Sequence, residues 1–248
     1  MRFRAVLFDL GYTLVDYPMD GPWREFLHTR LVEMCPTVCS LTGMSATAPG
    51  EFAEQMANLI RGKRAQALEH SGHSWHLADR LREAFAASGV PCSENLVQKV
   101  TNELLDPVRS RLRPYSDTIP TLERLREAEI ALAVISNSPW DAPGELSRVD
   151  MGRCGIADFF DVIIVSGDVP WRKPNPEFMW AAAEALGVEP CDCLVVGDSL
   201  MADIAGARAA GMSCVWVNRD GMAMSEDDPK PDEIVADLTA LLRVVSPY

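Results

Sequence analysis

The hydrophobic pattern changes character twice along this chain. Residues 4–8 form a short apolar run that Asp9-Leu10-Gly11 ends. Such a run predicts a buried strand. From about residue 16 to residue 112, Ala, Leu, Glu, Gln and Arg dominate, with apolar residues at helical spacing. An apolar face recurring every three to four positions predicts amphipathic helices at 51–69, 74–88 and 93–105. Residues 43–50 are rich in Ser, Thr, Ala, Pro and Gly and read as a loop, and Pro91 marks a further break. No strand pattern stands out here, so the stretch reads as a helical insertion.

The second change comes at Arg113-Pro114-Tyr115. Beyond it the pattern predicts a helix at 118–128 with Leu122 and Leu125 inward, and strands at 130–135 and 162–165. A helix at 176–186, a strand at 194–196, a small-residue helix at 202–210 and a strand at 214–217 follow. Alternating strands and helices predict an α/β fold, a Rossmann-like parallel sheet with helices on both faces. Gly187 and Gly211 fall at helix C-termini, where a left-handed residue is wanted. Residues 220–233 are polar and acidic, with Pro229 and Pro231, and read as a loop before a last helix at 238–245. The expected organisation is a discontinuous core, 1–15 and 113–248, with a helical cap at 16–112 inserted in it.

Composition narrows the partners. The 248 residues, 48% hydrophobic, suffice for a large buried core. A formal net charge of -13 argues against nucleic acid and anionic membrane, both bound mainly through basic patches. It leaves room for a small phosphorylated substrate, which responds to local groups. No signal-peptide pattern and no apolar window near the ~18 residues of a membrane span are seen, so a cytoplasmic monomer or homodimer is expected. Seven cysteines, an odd number, read as free thiols. Cys191-Asp192-Cys193 is too tight for an ordinary zinc clamp. His70, His73 and His76 drift round a helix that Gly72 interrupts, which makes a poor metal site.

Four short stretches carry the chemistry, each where an apolar run yields to a loop, as on open parallel sheets. Asp9 leaves the first strand; a carboxylate there can attack phosphorus, although a turn aspartate is the ordinary reading. Ser136 and Asn137 end the 130–135 strand; a hydroxyl and adjacent backbone N–H groups can hold phosphate oxygens, as they can also simply cap a turn. Lys173 lies in Arg172-Lys173-Pro174-Asn175-Pro176, where prolines restrict the direction of the amine. Asp198 and Asp203 follow the 194–196 strand. Converging carboxylates repel unless a cation lies between them, and magnesium (Mg2+) suits such an oxygen set.

Taken in order, these pieces resemble the haloacid dehalogenase superfamily, and the resemblance spans essentially the whole core. It implies a Rossmann-like core, an inserted type-one helical cap and magnesium-dependent phosphoryl transfer. It further implies that Asp9 is the nucleophile and a metal ligand, and that Gly11 offers its main-chain carbonyl to the metal. Asp198 would be the second carboxylate ligand, and Asp203 would bind the metal or its waters. Ser136 and Asn137 would hold the phosphoryl group, while Lys173 would balance charge and orient Asp9.

One position departs from the family. Phosphatases of this type usually carry Asp two residues after the nucleophile, as general acid and base, worth roughly a hundred- to ten-thousand-fold in rate. Gly11 stands there, so weakened phosphatase chemistry is one expectation, with Gly11→Asp raising turnover if the missing acid limits it. Family dehalogenases also lack that Asp, usually with an aromatic residue in its place and no metal, but Gly197-Asp198 is a ligand motif they do not need. Phosphonate cleavage would need a cap lysine such as Lys63. A catalytically weak member that binds a ligand or a protein is the remaining alternative. Arg24, Arg61, Lys63 and Arg64 are candidates to meet a substrate anion or to lie on a solvated helix face. Trp23, Trp75 and Trp140 are candidates to line the cavity or to pack in the core.

Overall fold

The computed structural model describes residues 3–18, 23–43, 54, 56–58, 76–138 and 143–245, with the side chains of residues 23, 24 and 27 left aside. Most of the helix expected at 51–69, all but Gly43 of the loop at 43–50, and Arg61, Lys63, Arg64, His70, His73, Trp75 and Trp140 lie outside the described residues, as do the side chains of Trp23 and Arg24.

Six parallel strands form the central sheet: β1 (Ala5–Phe8), β4 (Ala131–Ser136), β5 (Val162–Val165), β6 (Cys193–Gly197), β7 (Ser213–Val217) and β8 (Glu233–Val235). Their order is β5-β4-β1-β6-β7-β8. In register, Phe8 faces Val134 on one side and Val196 on the other. The strand-to-loop junctions of β1, β4 and β6 therefore meet at one rim, and Asp9 N–H continues the ladder to the Val196 carbonyl at 2.9 Å.

Strand alternation builds two cores. Val6, Phe8, Leu132, Val134, Leu194, Val196 and Val215 face one cluster, covered by Leu122 and Leu125 of α4 (Thr118–Glu127) and Leu241 and Val245 of α8 (Leu241–Val245). Ala5, Leu7, Ala133, Ile135, Val195 and Trp216 face the other, against Phe178, Met179, Ala182 and Ala183 of α6 (Pro176–Leu186). Burial on both faces explains why these strands read as continuous apolar runs.

The 16–112 stretch carries a third apolar cluster, in which Leu31, Met34 and Val38 of α1 (Trp23–Thr42) join Leu77, Leu81 and Phe85 of α2 (Leu77–Ala87) and Leu96, Val100 and Leu104 of α3 (Glu94–Arg109). The chain leaves and re-enters the core through a small antiparallel ribbon, β2 (Val15–Asp16) with β3 (Arg113–Pro114).

The sequence expectation does not name helix α1 or the short strands β2 and β3, and three further elements differ from it. β8 begins at the end of the stretch read as loop and is not expected; only Val235 of it is buried, so no apolar run marks it. Helix α5 (Gly144–Arg153) went unpredicted because its buried positions include Gly144, Ser147 and Asp150, which erase the apolar period. The helix expected at 202–210 opens with a wide π-helical turn, Leu200–Ile204, before α7 (Ala205–Ala209). Such turns recur at functional sites. Gly187 and Gly211 do adopt positive φ, 67° and 73°, as their C-terminal positions require.

Candidate active site

The motif residues converge where β1, β4 and β6 end. Lys173 is the hub. Its ammonium donates to Asp9 Oδ1 at 2.6 Å, to Asp203 Oδ1 at 2.6 Å and to the Ile135 carbonyl at 2.8 Å. An ammonium has three N–H donors, so all are engaged. Lys173 is only 3% exposed, contrary to the usual fate of a lysine. Burial alone would lower its pKa; the Asp203 and Asp9 carboxylates reverse that and hold it above the ordinary amine range.

The loop bearing Lys173 is latched rather than loose. Asn137 Nδ2 donates to the Lys173 carbonyl at 3.0 Å, and Lys173 N–H donates to Asn137 Oδ1 at 2.9 Å. The Asn137 side-chain amide thus holds the lysine loop in place. Ser136 is buried at the end of β4, next to the Ile135 carbonyl that accepts from Lys173.

Asp203 is pinned from two sides. Its Oδ2 accepts from Ser199 N–H at 3.0 Å, while Ser199 Oγ accepts from Ala202 N–H at 3.2 Å. This is a reciprocal cap, one residue wider than the usual four-residue form because the turn is π-helical. The carboxyl also sits against Gly197, where a Cβ would overlap it. Gly197→Ala is therefore expected to lower stability by about 1–3 kcal/mol through overpacking. Denaturant unfolding checks this, and a change below about 0.5 kcal/mol would mean that the site yields freely.

Asp9, Asp198 and Asp203 each place a carboxylate oxygen within 4.8 Å of the others. Among the described residues this is the one grouping of potential metal ligands. One ammonium cannot neutralise three carboxylates. Burial, then Asp9 and Asp203, push the Asp198 pKa up to about 8, and burial pushes Asp203 up to about 6 despite Lys173. All donors are hard oxygens, which fits Mg2+ and not a thiolate-seeking metal. The seven cysteines are free thiols.

The raised Asp198 value sets a pH dependence. The folded protein holds that proton more tightly than the unfolded chain does, so this contribution to stability falls as pH rises from about 4 towards about 8. A divalent cation would take the proton's place. The rise in melting temperature given by magnesium chloride is expected to grow between about pH 6 and about pH 8. A magnesium shift that is flat or falls across that range would count against a cation among these carboxylates.

Several supporting residues carried no sequence signal. Trp216, fully buried on β7, donates its indole N–H to the Asp198 carbonyl at 2.7 Å. Arg219 binds both Asp117 oxygens, at 2.9 and 3.1 Å, and the Thr13 carbonyl at 2.9 Å, and stacks 3.9 Å over Tyr115. It thereby ties the first motif loop to the start of α4. Gly11 lies half-buried at an isolated bridge to Val15. Tyr12, next to it, has φ 59°, a left-handed conformation uncommon for a non-glycine residue and often associated with functional loops. Of the three histidines read together, only His76 is described; it precedes α2.

Comparison with known proteins bears on the family and the fold. The model for haloacid dehalogenase-like hydrolases matches residues 3–211. A glyceraldehyde 3-phosphate phosphatase of Methanopyrus kandleri is 36% identical over 98% of this chain and 97% of its own. A phosphoserine phosphatase of Thermus thermophilus is 30% identical over 88% of this chain and 75% of its own. The crystal structure of a phosphatase of the same superfamily from Thermococcus onnurineus superposes with a TM-score of 0.66 at 29% identity, over 98% of both chains. A 2-haloacid dehalogenase from Pseudomonas syringae shares the fold, with a TM-score of 0.69 at 23% identity over 98% of both chains.

Proposed function

The chain belongs to the haloacid dehalogenase-like hydrolases, and from that premise we propose that it is a magnesium-dependent phosphatase acting on a small phosphorylated molecule through an aspartyl-phosphate at Asp9. The observation that carries this reading is the acidic trio, two of whose members share one buried lysine. Such a site attracts a cation, and a phosphoryl group approaching it needs that cation to offset like charge. The phosphatase names of relatives covered over most of their length support the same reading.

Asp9, Asp198 and Asp203 would hold the metal together with the Gly11 carbonyl, and the metal would supply charge neutralisation at the phosphoryl oxygens. This chain's own residues do the rest. Lys173 restrains one Asp9 oxygen and leaves the other to attack phosphorus in line. The Ser136 hydroxyl and the main-chain N–H groups after it hold phosphoryl oxygens, while the Asn137 side chain keeps Lys173 in register. The helical segment at 16–112 is the cap, and its closure excludes water and selects the substrate.

Incubation with magnesium and a panel of phosphomonoesters tests the proposal. Phosphate release that disappears with a chelator is the expected outcome. No release from any ester, with chloride freed from a 2-haloacid in the absence of metal, would replace phosphatase by dehalogenase. Saturable ligand binding without turnover would indicate a binding protein.

A further inference from the structure

Helix α5 grips both parts of the chain. Its Gly144 N–H donates to Asp168 Oδ1 at 2.9 Å, and a Cβ on Gly144 would overlap that carboxyl. Arg148 donates to Asp168 Oδ2 at 2.7 Å, and Met151 packs in the core that holds Phe8. These contacts fix α5 to the sheet and to the loop between β5 and α6. Further along the helix, Asp150 Oδ2 accepts from Arg109 Nε at 2.8 Å, and Arg109 Nη2 donates to the Leu146 carbonyl at 3.3 Å. Arg109 ends α3, just before the chain returns to the core through β3. Leu146 packs against the apolar cluster of α1, α2 and α3. Arg109 and Leu146 thus hold the stem of the helical segment on α5.

Stability alone does not account for the charged pair. The Arg109 and Asp150 side chains are 10% and 6% exposed. Burial pushes the Asp150 carboxyl up, and Arg109 offsets only part of that. Asp150 Oδ1 accepts no hydrogen bond among the described residues, with Arg153 3.7 Å away. A buried pair costs its desolvation, and well-packed apolar side chains in its place often serve stability as well or better. What the pair supplies and an apolar contact does not is a single geometry. A planar guanidinium that bonds a carboxylate and a carbonyl together admits few orientations. The pair also lies close to the nucleophile. The Tyr17 phenol is pushed up by burial, then by Asp150 and Asp9, and its ring stands 3.0 Å from where a Cβ on Gly11 would be.

We propose that Arg109 and Asp150 are positioning residues, which hold the stem of the helical segment in one orientation relative to the rim, so that the part of a substrate beyond its phosphoryl group meets that segment in register. The inference rests on the phosphatase reading, in which the segment is the cap. Neither side chain takes part in the chemistry at Asp9. Breaking the pair frees the stem and not the rim, because Asp168 and Met151 still fix α5 to the core. Lys173 likewise keeps its bonds to Asp9, Asp203 and the Ile135 carbonyl. Two sets of contacts are thereby separated. Those to the phosphoryl group belong to the rim and do not need the pair; those to the remainder of the substrate do.

The test uses the full chain with magnesium, para-nitrophenyl phosphate as substrate and inorganic phosphate as inhibitor. Arg109→Met with Asp150→Leu replaces the charged pair by apolar side chains. The folded double variant is expected to keep its melting temperature and to lose kcat/KM by about 10–100-fold, mainly through KM, as a small misplacement far from the chemistry does. The inhibition constant of inorganic phosphate, which has no remainder to reach the helical segment, should stay within about twofold. Arg109→Lys keeps the charge and loses the planar fork; it is expected to raise KM in the same direction, and it decides the matter alone if the double variant does not fold. A kcat/KM within about threefold of the unmodified protein in the folded variants would overturn the positioning role and leave the phosphatase reading standing. Inorganic phosphate weakened as much as the substrate would also overturn it, since the pair would then support the rim in general. No phosphate release from the unmodified protein would overturn the phosphatase reading and this inference with it.

Discussion

Asp9→Asn is expected to reduce phosphate release by about 10⁴-fold or more, as removal of a covalent nucleophile does elsewhere. The substitution is nearly isosteric, and Asp9 leaves β1 through a backbone bond to Val196 that the change does not touch. Lys173 keeps its bonds to Asp203 and to the Ile135 carbonyl. The fold should therefore survive, and circular dichroism with a thermal melt establishes that independently. Magnesium affinity should weaken without vanishing, since Asp198 and Asp203 remain. The split between lost turnover and retained metal-induced stabilisation separates a nucleophile from a mere ligand. Release persisting within about tenfold of the unmodified protein would place the nucleophile elsewhere.

That the sequence reveals Asp9, Asp198 and Asp203 follows from strand physics. Each carboxylate lies at or just beyond the end of a run that is buried on both faces, and such runs are visible as unbroken apolar β-rich segments. β1, β4 and β6 are found within a residue or two of their expected ends. Elements whose inner face is polar or whose burial is partial are hidden. Helix α5 buries Gly144, Ser147 and Asp150, and the edge strand β8 buries only Val235. Within the site, identity was legible and connection was not. Lys-Pro in a proline-rich loop implied a restrained amine, but not that its three donors would be consumed by two carboxylates and a carbonyl. Ser136-Asn137 at a strand end implied a hydroxyl and backbone N–H groups for phosphate, but not that the Asn137 amide would also bond the lysine loop. Trp216 lies 18 residues beyond Asp198 and Tyr17 eight beyond Asp9, and only the folded geometry brings an indole to one and a ring to the space beside Gly11.

Lys173→Met is expected to injure stability and activity together, and pH is what separates the two. Removing one partner of a buried ion pair leaves the other charge uncompensated, which costs about 3–5 kcal/mol. Here the abandoned partner is Asp203, 1% exposed, with one oxygen losing its donor and the other still bound to Ser199 N–H. Methionine fills much of the stem volume, so the loss is mainly electrostatic. Lys173 is the group that lowers the Asp203 pKa against burial, so without it that carboxyl is raised further above its unfolded value. The sign follows directly. A raised carboxyl favours the folded state in its neutral form, and that contribution is lost as pH rises through the folded value. The deficit of Lys173→Met against the unmodified protein should therefore be small near about pH 5 and large above about pH 7, bracketing the value of about 6 that Asp203 has with the lysine present. Magnesium should recover part of the stability at the higher pH by supplying positive charge, while turnover stays low because Asp9 has lost the donor that fixes its orientation. Denaturant unfolding at the two pH values, each with and without magnesium, measures every limb of this. A deficit that is the same at both would mean that the lysine stabilises the rim by packing, and that the charge balance assigned to it is wrong.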